Sequence, residues 1–220
     1  MTNNNKEMTN DKKIMAIPRL VADGAGAAFL LAVTLFFVLE SDLVVSLTKA
    51  HPYAMGFVKF GILASYGECL KTRITTGRWI PAKLLPRAVI WGVFGMWISA
   101  AFSFFAIGFG AMAAGGLWPE TPGPLWMSVW MNFLGGFGFF MMFAHYWCDT
   151  MLVEGFVWPW ALFDRPETRH WGKIVLLTLV LFWIPVHALV FCLPPHWRIL
   201  CAAYLGIVLG LILSAAVQRK

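Results

Sequence analysis

The chain alternates between long apolar runs and short polar or proline-bearing stretches. Six apolar runs stand out, at residues 24–39, 52–70, 88–117, 125–147, 173–193 and 197–217. Several reach or exceed the roughly 18 residues that carry a helix across the hydrocarbon core of a bilayer, and the third is long enough to tilt. Pro52, Pro81, Pro86, Pro119, Pro122, Pro124, Pro159, Pro166, Pro194 and Pro195 lie between the runs or at their ends. A residue without an N–H, whose ring clashes with the preceding turn, belongs there. Pro185 falls inside the fifth run and predicts a kink. The pattern predicts an all-α fold, a polytopic transmembrane bundle of about six helices. Residues 1–19 are expected to form a disordered cytoplasmic tail and 20–220 a single transmembrane domain without internal repeats.

Composition sharpens this reading. Of 220 residues, 60% are hydrophobic and 13% charged, against about 45–50% and about 25% in soluble domains. The 12 Trp and 19 Phe suit interfacial belts and lipid-facing packing. The N-terminal stretch lacks the apolar core of a secretory signal, and Glu7 and Asp11 argue against a mitochondrial transit peptide. The four cysteines, Cys69, Cys148, Cys192 and Cys201, have no metal-finger spacing and read as small buried hydrophobes.

Charge sets the expected orientation. The loop after the second run carries Lys71, Arg73, Arg78, Lys83 and Arg87 with no acid, whereas the loop after the third, which includes the rigid stretch 118–124, carries only Glu120. Short basic loops stay cytoplasmic, so both termini and the 71–87 loop are expected inside. The net charge of +6 then reflects topology and attraction to anionic lipids at that loop. Trp79 is the loop's lone aromatic, so it does not read as a nucleic-acid surface.

Glu68 is the residue that needs explaining, an acid near the end of an apolar run. Gly61, Ser65, Glu68 and Thr72 fall at steps of four, three and four, on one helix face. Such a small and polar stripe lets another helix approach. An acid there faces the bundle interior or a water-filled cavity; alternatively it sits in the headgroup layer and pairs with Lys71. Lys59 points the opposite way and is expected to snorkel to the nearer surface.

Other positions carry weaker chemistry. His145, Cys148 and Asp149 share a helix face and form a weak metal-ligand candidate, or else a wet helix end anchored by Trp147. His187 suits an interhelical hydrogen bond. Gly206-x-x-x-Gly210 suits helix packing or homo-oligomerisation, and Gly135, Gly136 and Gly138 packing in the fourth helix. No cofactor is expected.

The stretch around Glu68 also resembles the opening motif of the Mpv-seventeen / 22-kDa peroxisomal membrane protein family. His51-Pro52, then Gly61, then Gly67-Glu68 follow that motif's order, with Glu68 in place of the family's Asp and Lys71 or Thr72 at its Gln. Near the C-terminus, Trp183, Pro185, Phe191, Pro194 or Pro195, Arg198 and Leu213-Ser214 before Arg219-Lys220 resemble the family's closing motif. Arg87, Gly92 and Gly95 stand for its central Arg and glycines. The Pro and His before its Trp-Tyr are missing, and its Asp-Gln has Asn132 or Asp149-Thr150 as counterpart. The resemblance covers about 43–220, leaving the first run as an added N-terminal helix.

The resemblance implies a non-enzymatic, low-selectivity channel or permeation pathway for small solutes. The expected membrane is a bacterial inner membrane, with an organellar membrane as the alternative. Glu68, Ser65, Thr72, Arg87, Asn132, His187 and Arg198 are the candidates for a polar interior, and Gly61, Gly67, Gly92, Gly95, Gly206 and Gly210 for helix packing. A non-conducting structural or lipid-interacting membrane protein is the alternative. A membrane-embedded enzyme ranks last, since no paired carboxylates, Ser-His pair or full metal motif is present. If the charge rule sets topology, single cysteines at Thr75 and Thr121 in a cysteine-free background will label from opposite sides with an impermeant thiol reagent. Labelling of both from one side would overturn the six-helix topology.

Overall fold

The computed structural model describes the backbone of residues 3–218 and the side chains of residues 19–211. The side chains of residues 1–18, nearly all of the expected tail, and of Leu213-Ser214, and all of Arg219-Lys220, lie outside the described residues. Every regular element among the described residues is helical. In chain order they are α1 (Asn3–Leu39), α2 (Ser41–Ala50), α3 (Pro52–Thr76), α4 (Leu84–Ala114), α5 (Gly123–Val129), α6 (Phe137–Glu154), α7 (Pro166–Thr178), α8 (Ile184–Phe191) and α9 (Pro195–Gln218). Short π-helical turns, Trp130–Leu134 and Leu179–Trp183, join α5 towards α6 and α7 to α8.

Three helical stretches are long and apolar enough to cross a membrane: Arg19–Leu39, Leu84–Ala114 and Pro166–Phe191, with mean hydropathies of 2.0, 1.8 and 2.5. The pair Gly123–Leu134 and Phe137–Glu154, bent by 47°, makes a fourth if it is one span. α3 has the length, at 25 residues, but carries Lys59, Glu68, Lys71 and Arg73. Large apolar side chains point outward along these helices; Phe104, Ile107, Leu181 and Leu189 are between 68% and 73% exposed. Contiguous apolar surface on this scale suits lipid rather than water. These apolar helices are those of a membrane-embedded protein.

α3 is the central helix, packing most extensively on α4 and next on α9. Its contact with α4 is set by glycine. A Cβ on Gly95 would lie 2.1 Å from the Gly56 carbonyl oxygen, and one on Gly56 would lie 2.6 Å from the Gly95 oxygen, so the two backbones touch. Gly92 receives the Phe57 ring at 2.5 Å in the same sense. Gly61 and Gly67 are less demanding: a methyl at either would meet Ala88 or Ile207 at 3.5–3.6 Å, an ordinary contact. Gly206 and Gly210 mark no close helix approach among the described residues, because a Cβ there meets nothing within 4 Å.

The fourth apolar run is not one straight helix. Its ladder widens to a π turn, Gly135 donates its N–H to the Trp130 carbonyl at 2.6 Å, and Gly136 takes a left-handed φ of 71° before α6 begins. Gly135 and Gly136 thus break the run. Two of the three glycines also pack closely, since a Cβ on Gly138 would fall 2.7 Å from Leu179 and one on Gly135 2.5 Å from the Phe105 ring. Pro185, expected to kink the fifth run, is preceded by a second π turn. The first helix is built into the bundle: Phe37 is buried in the main core with Phe60, Leu63, Phe94 and Ile98. Thr34 shares a 2.8 Å hydrogen bond with the Tyr204 hydroxyl on α9.

Because the Gly56–Gly95 contact is backbone on backbone, Gly95→Ala should lower stability by about 1–3 kcal/mol, while Gly206→Ala should be neutral or slightly stabilising. Thermal unfolding of both variants in one detergent checks this; equal melting temperatures would contradict the contact.

Candidate functional site

Polar side chains gather in three places inside the bundle. The first joins α3, α4 and α6 at the end bearing the basic loop. Gly61 and Ala88 bring α3 and α4 together one and a half to two turns before Glu68, so Glu68 faces Arg87 on the first turn of α4. Glu68 Oε2 lies 3.6 Å from Arg87 Nη1 and 3.8 Å from Lys71 Nζ, and its Oε1 lies 4.0 Å from His145 Nε2. The tight bond of the cluster is elsewhere: Arg87 Nη1 donates to Asp149 Oδ1 at 2.6 Å. His145 and Asp149 stand one helical turn apart on α6, 3.9 Å from each other. The His145 ring also packs on Trp91, centroid to centroid 4.4 Å.

Exposure rises outward, from 11% for the Glu68 side chain and 15% for Arg87 to 30% for Asp149 and 51% for Lys71. The site is a half-wet charged cluster, not a sealed core. Two carboxylates face Arg87 and Lys71, so the cluster balances before His145 is counted. Arg87 touches both acids and holds one of them. Among the described residues no group of three His, Cys, Asp or Glu is arranged to hold a metal. His145 and Asp149 are spent on this network, and Cys148 packs against the hydrophobic core instead. Of the rest of the Glu68 stripe, Thr72 returns its hydroxyl to the Glu68 carbonyl at 2.8 Å. Ser65 is buried with no hydrogen-bond partner for its hydroxyl among the described residues.

The same end is strapped from outside. Arg73 on α3 makes two bonds to Asp23 of α1, at 2.5 and 2.7 Å, and Trp79 Nε1 donates to the same carboxylate at 2.8 Å. Lys83 Nζ donates to the Leu152 carbonyl at the end of α6.

The second place lies between α5 with its π turn and α8. Asn132 Nδ2 donates to the Ser128 carbonyl at 2.9 Å, Asn132 Oδ1 is 3.1 Å from His187 Nδ1, and the Ser128 hydroxyl donates to the Ile184 carbonyl at 2.7 Å. All three side chains are buried, and the His187 ring is enclosed by Phe102 and Trp183. This is a closed interhelical hydrogen-bond network of the kind expected of His187, and it ties α5 and the π turn that follows it to α8.

The third place is at the opposite end from Glu68. Lys59 does not snorkel: its side chain is 0% exposed, and Nζ donates to the Thr48 hydroxyl at 2.7 Å and to the His196 carbonyl at 3.5 Å. α2 and the start of α9 cover it, elements that a reading of α3 alone does not foresee. Arg198, on the first turn of α9, is placed as a cap. Its Nε and Nη2 donate to the Leu193 and Phe191 carbonyls at 2.9 and 3.1 Å, closing the end of α8.

Glu68, Lys71 and Arg87, each marked in the sequence, are grouped by the structure. It does not bring Asn132, His187 or Arg198 into that cluster. Asp149 and His145 join it instead, and Ser128, Thr48 and Lys59 had no local mark of their roles. No protein-family model, curated protein or solved structure matches the chain.

Arg87→Met leaves Glu68 and Asp149 facing each other with Lys71 alone, and should cost about 2 kcal/mol for so partly wetted a cluster. In a double-mutant cycle with Asp149→Asn, the second change should cost much less when Arg87 is already gone. Additivity within about 0.3 kcal/mol would mean the pair is not coupled.

Proposed function

We propose that the protein is a six-pass integral membrane protein of a bacterial inner membrane, both termini cytoplasmic, that admits small solutes through a low-selectivity pathway closed in this conformation. Glu68, Arg87 and Asp149 form its cytoplasmic gate. The observation that carries this reading is the largely buried Glu68 held 3.6 Å from an Arg87 whose short bond goes to Asp149. A buried or half-buried charge cluster gains a bundle little stability over apolar packing, so its presence where three helices meet favours a functional role. Arg87 has two carboxylates within reach on two different helices. Exchanging Asp149 for Glu68 shifts α4 relative to α6 and changes the potential at the mouth, which biases ion passage. The order of motifs shared with the Mpv-seventeen / 22-kDa peroxisomal membrane protein family supports the same reading. The basic loop 71–87 beneath the gate suits anionic lipid headgroups.

A second reading has its own support. Phe60, Leu63, Phe94 and Ile98 fill the core beside the cluster and are each at most 6% exposed, as in a non-conducting structural or lipid-interacting bundle. Reconstitution separates the two. Vesicles holding the parent protein should pass ions and small solutes faster than empty vesicles, and Glu68→Gln should change ion selectivity while the melting temperature holds. Parent vesicles as tight as empty ones would leave the structural reading in place.

A further inference from the structure

We propose that the cavity at the α2, α4 and α9 end of the bundle binds an amphiphilic anion, a carboxylate or phosphate headgroup carried on an acyl chain. The inference rests on a different site from the gate and holds whether or not the bundle conducts.

The cavity measures about 460 Å³, within the range of small-molecule sites, roughly 300–1,000 Å³. Its charged or titratable lining is Lys49, His196 and Arg198, with no acid among the lining residues. Phe102, Ala106 and Ile107 offer apolar wall to an acyl chain, beside Ser99 and Ser103. Behind it stands the independent observation. Lys59 is fully buried and, among the described residues, forms no ion pair. Its two partners, the Thr48 hydroxyl and the His196 carbonyl, are neutral, and Thr48 and His196 are themselves lining residues of the cavity. A buried cation offset by dipoles alone is costly, and an anion seated one side chain away supplies the missing charge. Arg198 uses Nε and Nη2 on carbonyls, which leaves Nη1 for a headgroup. Lys49 is exposed at the rim, where it meets an incoming anion. A bilayer lipid and a free fatty acid share this chemistry.

The test uses the full chain in nanodiscs of zwitterionic lipid and a fluorescent long-chain carboxylate as probe. The parent should bind it saturably, the neutral alcohol of the same chain should fail to compete, and inorganic phosphate should compete only weakly for want of a tail. Displacement by an anionic phospholipid would name the bilayer as the source, and displacement by unlabelled fatty acid alone a free ligand. Lys59→Met should weaken binding about tenfold or more. Lys49→Gln, at an exposed position, should weaken it less, and Ala106→Phe, which fills the cavity, should abolish it. Absence of saturable binding to the parent overturns the proposal. So does equal competition by the alcohol, or unchanged affinity in both Lys49→Gln and Ala106→Phe, which keeps the test decisive even if Lys59→Met does not fold.

Discussion

The backbones of α3 and α4 touch at Gly56 and Gly95, and the placement of Glu68 opposite Arg87 follows from that contact. In a bilayer, helices gain little by hiding apolar surface from one another, because lipid is as apolar as leucine. Close packing through small residues is what holds them. Reading forward along α3 and backward along α4 from this contact leads to Gly61 beside Ala88 and Gly92, then to Glu68 facing Arg87. α9 lies against another side of α3, where Gly67 meets Ile207. α3 is therefore walled by two helices, and its charged residues must find partners within the bundle.

Helix breaks supply the remaining geometry. A straight helix through Gly135 and Gly136 would aim α5 and α6 along one line. The 47° bend instead lets α5 pack on α8 through Ser128 while α6 carries His145 and Asp149 to Arg87. The two π turns fall where the chain must reconcile these demands. One precedes a Gly-Gly pair and the other a proline, residues that tolerate or force a departure from the α ladder.

Much of this was legible in the sequence, and the parts that were not share a cause. Long apolar runs with prolines at their ends mark helices from local composition alone, so the all-α, membrane-embedded character could be read directly. Glu68, Lys71 and Arg87 could be grouped because they flank one short loop. Gly92 and Gly95 could be named for packing, but their partner Gly56 could not, since a helix in lipid has no polar face to betray which side is covered. The Arg87–Asp149 bond joins residues 62 positions apart, and nothing local announces it. Lys59 misled for the same reason: a lone lysine on an apolar helix snorkels unless another element closes over it, and here α2 and α9 do.

The two charges of α3 therefore live under different rules. Glu68 and Lys59 are nine residues apart, roughly 13 Å along the axis, and buried Phe60, Leu63 and Ala64 stand between them. At that separation their mutual attraction is about 1 kcal/mol for an effective dielectric near 20, too little to offset the burial of either. Each must be met locally. Glu68 is met by arginine and lysine and has a path to water. Lys59 is met by a hydroxyl and a carbonyl and has none. A bundle needing only stability would place an apolar residue at 59, as buried ion sites replaced by apolar side chains commonly gain stability. The retained cation instead gives the far end of α3 a positive potential beneath a cavity with no acid in its lining, whereas the carboxylates at the other end are matched by Arg87 and Lys71. One helix thus carries a charge-balanced cluster at one end and, among the described residues, a cation without an ion pair at the other, with a packed apolar section keeping the two apart.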